Sequence, residues 1–202
     1  MWNDFTAHAI TVFHDGRVGD PGWARRAASR DVEGVWQWIE SNHRCNCLLW
    51  DEEDQARRVD VDDASIAGNK RAIDAYNQRR NDAIERIDEA LLEELDRVPR
   101  QRDARMNSET AGSIIDRLSI LSLKIFHMRL EAQRTGAGPA HVEASAVRLA
   151  RLEEQRRDLA GCLDRLLADC KAGSACFKVF RQFKMYNYQT LNPYLYSGKS
   201  HE

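Results

Sequence analysis

The stretch that most constrains this chain runs from Asn107 to Met128, Asn-Ser-Glu-Thr-Ala-Gly-Ser-Ile-Ile-Asp-Arg-Leu-Ser-Ile-Leu-Ser-Leu-Lys-Ile-Phe-His-Met. Ile114, Leu118, Leu121, Ile125 and Met128 recur at steps of three and four, the spacing of one helical face. Ile115 and Phe126 fall on a second face, and Ile120, Leu123 and Leu130 on a third. Only the line through Arg117 and Lys124 is left for water. A helix apolar on nearly every side must be surrounded by other helices. Ser108 or Thr110 is its expected N-cap, because a short hydroxyl accepts from the free amides of the first turn. Asp116 and His127 share the face of Ile120 and Leu123, so this central helix also carries ionisable groups inward.

The rest of the chain supplies the surrounding helices. Residues 2–14 read as a short helix with Phe5, Ile10, Val12 and Phe13 on it, broken by Asp15-Gly-Arg-Val-Gly-Asp-Pro-Gly22. Long helices are expected over residues 31–58, 62–95 and 141–171, with Gly173 as the last one's stop. The tail over 177–196 is expected to mix a short amphipathic helix with an extended arm. The expected fold is therefore all-α: an antiparallel helical bundle of four long helices with a short N-terminal helix and an aromatic C-terminal arm. Its 202 residues suit one domain, with 1–28 as an N-terminal extension and 177–202 as the arm.

Composition narrows the function classes. Thirty basic against 32 acidic side chains give a net charge of −2, which argues against a general polyanion binder. No apolar run reaches the roughly 18 residues that a membrane-spanning helix needs. The N-terminus lacks a basic segment before an apolar one, so a secretory signal is not expected. Five cysteines, odd in number and irregularly spaced, read as reduced thiols of a cytoplasmic protein.

The chemistry lies where polar residues interrupt inward-facing stripes. On the 31–58 helix, Val32, Trp36 and Ile39 set the buried direction, and the same register continues through His43, Asn46, Trp50, Asp54 and Arg57. Lys70, Asp74, Asn77, Asn81, Glu85 and Asp88 share a face of the next helix, with Arg80 beside Ile73, Ile84 and Ile87. Arg156 interrupts the Leu149, Leu152, Leu159, Leu163, Leu166 stripe of the last long helix, whose Glu153 and Arg157 are spaced to pair. Buried polar groups must find partners. Such stripes form either a structural network or a pocket between facing helices. In the pocket reading His43, Asp54, Asp116 and His127 are the acid and base candidates. Asn46, Asn77 and Asn81 suit sugar hydroxyls and Arg80, Arg156, Arg181 and Lys184 phosphate, with Trp50, Arg57 and Lys124 as further ligand-binding candidates.

No metal is expected. Glu40-x-x-His43 has the spacing used by di-iron bundles, but a second copy is missing. Cys45 and Cys47 face nearly opposite sides of a helix. No cofactor fingerprint, P-loop or nucleophile elbow occurs. Lys178, Arg181 and Lys184 interleave with aromatics in the tail, a pattern suited to phosphate on a ring or to single-stranded nucleic acid. Nucleic acid is the least favoured partner, given the charge balance.

Several spaced elements together resemble the bacterial family known as domain of unknown function 4254. They are His43-x-x-Asn46, Leu49-Trp50-x-x-Glu53-Asp54-x-Ala56-Arg57, Lys70-Arg71-x-Ile73-Asp74 and Asn77-Gln78-Arg79-Arg80-Asn81-Asp82. Asn107-Ser-Glu-Thr110, Asp116-Arg-Leu-Ser-Ile-Leu121, Lys124, His127-Met128, Glu154-Gln-Arg-Arg-Asp158 and Arg181-Gln-Phe-Lys-Met-Tyr-Asn187 complete them. The resemblance implies a place beside glycosyltransferases in cell-surface polysaccharide synthesis, but no catalytic residues. Asp51 departs from the family pattern, which has histidine after Leu-Trp, and this counts against a metal on that helix. Two readings follow: a protein that acts on or binds a phosphorylated sugar or sugar-nucleotide, or a non-enzymatic accessory partner of a glycosyltransferase. Either is open to a monomer or a homodimer.

Overall fold

The computed structural model describes residues 5–27 and 32–196, apart from the side chains of Tyr186 and Tyr196. It is an all-α bundle. The described helices are α1 (Ala7–Val18), α2 (Val35–Gln55), α3 (Asp63–Leu95), α4 (Ala111–Ala132), α5 (Pro139–Lys171) and the single turn α6 (Pro193–Tyr196). Two short strands, β1 (Arg105–Met106) and β2 (Ala175–Cys176), pair in parallel. Helices α2 and α3 form one hairpin, and α4 and α5 another. Helix α4 packs against α1, α2, α3 and α5, which is why its sequence is apolar on nearly all sides. Ile114, Ile115, Leu118 and Ile125 of α4 join Ile39, Ile87, Leu91 and Leu163 in the core.

The helix starts follow capping chemistry. Asp62 accepts from the Ser65 amide (2.6 Å) to begin α3, and Thr110 Oγ1 from the Ser113 amide (3.1 Å) to begin α4. A second group serves that α4 terminus from outside: buried Asp88 of α3 accepts from the Gly112 amide at 2.6 Å. Burial raises the Asp88 carboxyl to about 6, against the hydrogen bonds that it takes from Thr110 and Gly112. The approach needs glycine. A Cβ on Gly112 would lie 2.6 Å from the Ile84 carbonyl oxygen and 2.8 Å from Asp88 Oδ1. Gly112→Ala is expected to lose about 2 kcal/mol by overpacking. That is a fall of about 4–8 °C in Tm for a chain of this size, readable by calorimetry.

The ends of α1 and α2 differ from the sequence expectation. Helix α1 starts at Ala7 and runs through Gly16 to Val18, because α5 pins both its ends. Asp164 accepts from the Ala7 amide (2.8 Å), and Arg156 Nη1 lies 2.8 and 2.7 Å from the two Asp15 oxygens. The break moves to the segment ending at Gly22, whose φ is 74°. Helix α2 starts after Gly34, at φ 62°, and ends at Gln55; the expected first residue, Asp31, lies outside the described residues.

The tail is tied down in two places. Gly173, at φ 73°, ends α5: its amide reaches the Cys170 carbonyl (3.1 Å) and the Ser174 amide that of Asp169 (2.9 Å). Pairing of β2 with β1 then draws Phe177 into the core. Beyond it the chain runs along α3 without the expected amphipathic helix, forming a 3-10 turn at Met185–Asn187 and the single turn α6. Arg181 pairs with Glu85 and Glu89, and Glu85 also accepts the Gln182 amide that a helix would have used.

Candidate binding groove

The polar residues of the α2 stripe split into an enclosed network and an open groove. In the network, Asp116 of α4 accepts on Oδ1 from Asn42 Nδ2 at 2.8 Å and Asn46 Nδ2 at 2.9 Å. Asn46 Nδ2 also donates to Ser119 Oγ at 2.9 Å. Ser119 Oγ lies 2.7 Å from His43 Nδ1, and His43 Nε2 lies 3.2 Å from the His14 carbonyl oxygen. A carbonyl only accepts, so Nε2 carries the His43 proton and Nδ1 accepts from Ser119. His14 stacks on His43 at 4.5 Å, with both of its ring nitrogens buried and unpartnered. Burial lowers His43 to about 4 and pushes His14 well below the usual range, with Arg44, Arg17 and Arg156 adding to the effect. Both imidazoles are therefore neutral at pH 7. Glu40 binds Arg44, whose guanidinium also covers the Trp23 ring at 4.2 Å. Among the described residues no group of three or more His, Cys, Asp or Glu side chains gathers to hold a metal ion.

Beyond Asn46 the stripe opens. A cavity of about 300 Å³ is lined by Asn46, Trp50, Glu53, Asp54 and Arg57 of α2, Arg80 of α3, and Ile120 and Leu123 of α4. Arg80 Nε is 3.9 Å from Asp116 Oδ1, beyond hydrogen-bond reach, and is buried with no partner. Trp50 Nε1 is likewise buried and unpartnered. The Trp50 indole stacks on the His127 imidazole of α4, with centroids 4.4 Å apart and planes 5° from parallel. Burial lowers the His127 pKa while Asp54 and Asp51 pull it back. On the other side of this pair lies a second cavity of about 390 Å³, lined by Lys124, His127, Met128, Glu131, Arg148, Arg151 and Leu152. Trp50 borders both cavities, which are together termed the groove.

The residues singled out from the sequence thus fall into four places. Asn46, Trp50, Asp54, Arg57, Arg80, Lys124 and His127 line the groove. His43 and Asp116 lie in the network behind it. Arg156 is engaged by Asp15, and Arg181 by Glu85 and Glu89, each away from the groove. Asn81 donates to Gln182 of the arm (3.1 Å), one turn after half-buried Asn77. Burial and nearby Arg80 both lower the Lys184 pKa. Glu153 pairs with Arg129 at 3.2 Å.

Asn42, Ser119 and His14 escaped the sequence reading, Asn42 standing one turn before Asn46. Ser119 and His14 lie one turn from recognised residues, Asp116 and Ile10.

Among the described residues no helix is long and apolar enough to cross a membrane. No curated protein and no solved structure matches the chain. The model of the family described as "Protein of unknown function (DUF4254)" matches residues 36–179, from the start of α2 to just past β2. The match spans well over half of the 202 residues, and the chain belongs to that family.

Proposed function

We propose that the groove binds a phosphorylated sugar or sugar-nucleotide, placing the protein in cell-surface glycan synthesis. The observation that carries this reading is Arg80. Its buried Nε has no hydrogen-bond partner, yet it borders a cavity that also holds Arg57, Asn46, Glu53 and Asp54. A buried donor without a partner costs free energy that a bound acceptor returns. Guanidinium groups suit phosphate, while carboxylates and an amide suit sugar hydroxyls. His127, whose pKa burial lowers and nearby Asp54 raises, is the candidate to exchange a proton with a bound hydroxyl. Asp116 and His43 act through position, holding Asn46 and facing Arg80 from behind.

Arg57 gives the cleanest test, since it is exposed and pairs only with Glu53 one turn away, at 3.1 Å. Such a pair is worth about 0.3–0.5 kcal/mol, so Arg57→Ala leaves the fold intact. Losing a charge-assisted phosphate contact is expected to weaken glucose 1-phosphate or a sugar-nucleotide by about 10–100-fold in calorimetric titration. Unchanged affinity removes Arg57 from the site.

One observation favours the accessory-subunit reading. Phe180, Phe183, Met185, Tyr188 and Leu191 of the arm are all exposed, which suits a docking surface for a glycosyltransferase. Phe177 is fully buried, so a truncation must begin after it. Deleting 178–202 is expected to abolish co-purification with such a partner while Tm falls by no more than a few degrees. Intact co-purification counts against the arm.

A further inference from the structure

The arm beyond Phe177 sits on the bundle inside out. The side chains that tie it to α3 are polar. Arg181 pairs with Glu85 and Glu89, Gln182 accepts from Asn81 Nδ2 at 3.1 Å, and the Gln182 amide reaches Glu85 Oε1 at 2.9 Å. Lys184, half-buried, lies near Asp74, Arg80 and Asp82 of the same helix. The apolar side chains are left in water. To the exposed ones already named, Tyr194 and Leu195 of α6 add two more, and Phe183 and Tyr194 are 76% and 92% exposed. Of the twelve large apolar side chains exposed among the described residues, seven fall within 180–195. So much apolar surface in one short segment costs free energy that a covering partner returns.

Charge selects the partner. Residues 177–196 hold Lys178, Arg181 and Lys184 and not one Asp or Glu, in a chain whose net charge is −2. Arg181 is answered by α3, but Lys178 and Lys184 take part in no ion pair among the described residues. A second copy of the arm would bring like charges together, which opposes a symmetric arm-to-arm dimer. An anionic lipid surface offers negative charge over an apolar layer and so answers both features. The rings agree with it, because tyrosine settles at bilayer interfaces with its hydroxyl among the headgroups. The backbone limits the depth. Residues 178–184 form no helix or strand, so their amides and carbonyls need the hydrated headgroup layer rather than the hydrocarbon.

We propose that residues 178–195 are a peripheral membrane-binding arm, which lays its Phe, Tyr, Met and Leu side chains into the headgroup region of an anionic bilayer. The arm's surplus of positive charge favours the lipid phosphates. The inference is independent of what the groove binds.

The test is flotation of the full chain with vesicles of equimolar phosphatidylglycerol and phosphatidylcholine, beside vesicles of phosphatidylcholine alone. The chain should float with the anionic vesicles, about tenfold more tightly than with the neutral ones, and high salt should weaken that binding. Lys178→Gln should weaken it by about fivefold. Phe183→Ser/Tyr194→Ser should weaken it by about tenfold or more, since the variant removes both exposed rings. Both positions face water, so this double variant keeps its fold, as far-ultraviolet CD will show. The proposal is overturned if the chain stays in the soluble fraction, if it binds neutral vesicles equally well, or if the double variant floats as the unaltered chain does. A dimer in sedimentation that the double variant breaks, with no vesicle binding, would assign this face to a second copy. Arm-dependent co-purification of a glycosyltransferase, again with no vesicle binding, would assign it to that protein. Either result overturns the lipid reading.

Discussion

Asp116→Ala is expected to destabilise the chain by about 3–5 kcal/mol, the cost of removing one partner from a buried charged network. Asp116 Oδ1 is the shared acceptor for the Asn42 and Asn46 amides and the nearest carboxylate to Arg80. Alanine would leave two buried amides and a partly enclosed guanidinium without it. Urea unfolding followed by CD should show the loss, and Tm should fall by about 6–20 °C. Asp116→Asn separates hydrogen bonding from charge. Its side-chain oxygen can still accept from both amides, so the expected loss is only about 1–2 kcal/mol. Equal losses in the two variants would mean that the charge facing Arg80, rather than the amide bonds, holds the network together.

Acid is expected to destabilise the protein through His14 and His43. The unfolded chain takes up a proton at each near 6.5, while the folded chain holds His43 neutral down to about 4 and His14 in the same direction. Their contribution is complete above pH 6.5 and is lost as the pH falls through this window, at about 1.4 kcal/mol per pH unit for each. For His43 the total is about 3 kcal/mol. Asp88 opposes this: raised to about 6, it takes its proton in the folded state first and adds stability as the pH falls from 6 toward 3.8. Asp88 therefore offsets part of the loss, and the buried histidines leave stability falling as the pH drops through this range. His14→Phe removes one loss and replaces an unpartnered imidazole with an apolar ring. Urea titrations of this variant should therefore fall less steeply with acid than those of the parent. A slope unchanged from the parent would show that His14 is not held neutral by the fold.

Much of this architecture was legible because helices declare themselves locally. The periodicity of Ile114, Leu118, Leu121 and Ile125 called for a surrounded helix, and α4 touches four others. Thr110, one of the two caps expected for α4, takes that place. Continuing the Val32, Trp36, Ile39 register brought Asn46, Trp50, Asp54 and Arg57 to one face, and that face lines a cavity. What periodicity cannot carry is the identity of a distant partner. Arg156 interrupts a leucine stripe just as a pocket cation would, but α1 covers that stripe and Asp15 meets it. Arg181 reads as a phosphate ligand until Glu85 and Glu89 are placed beside it. The tail failed for a related reason. Its helical spacing is overridden by two residues of parallel pairing and by Glu85 accepting a backbone amide.

Native mass spectrometry of the freshly purified full chain tests the central claim most directly. The groove reading predicts a one-to-one adduct with the mass of a phosphorylated sugar or sugar-nucleotide, carried over or added as a panel of UDP- and GDP-sugars. That adduct should disappear on denaturation and be weakened by Arg57→Ala. A bare chain throughout, with millimolar sugar-nucleotide present, would contradict it and leave the polar stripes as a network that only holds the helices in register.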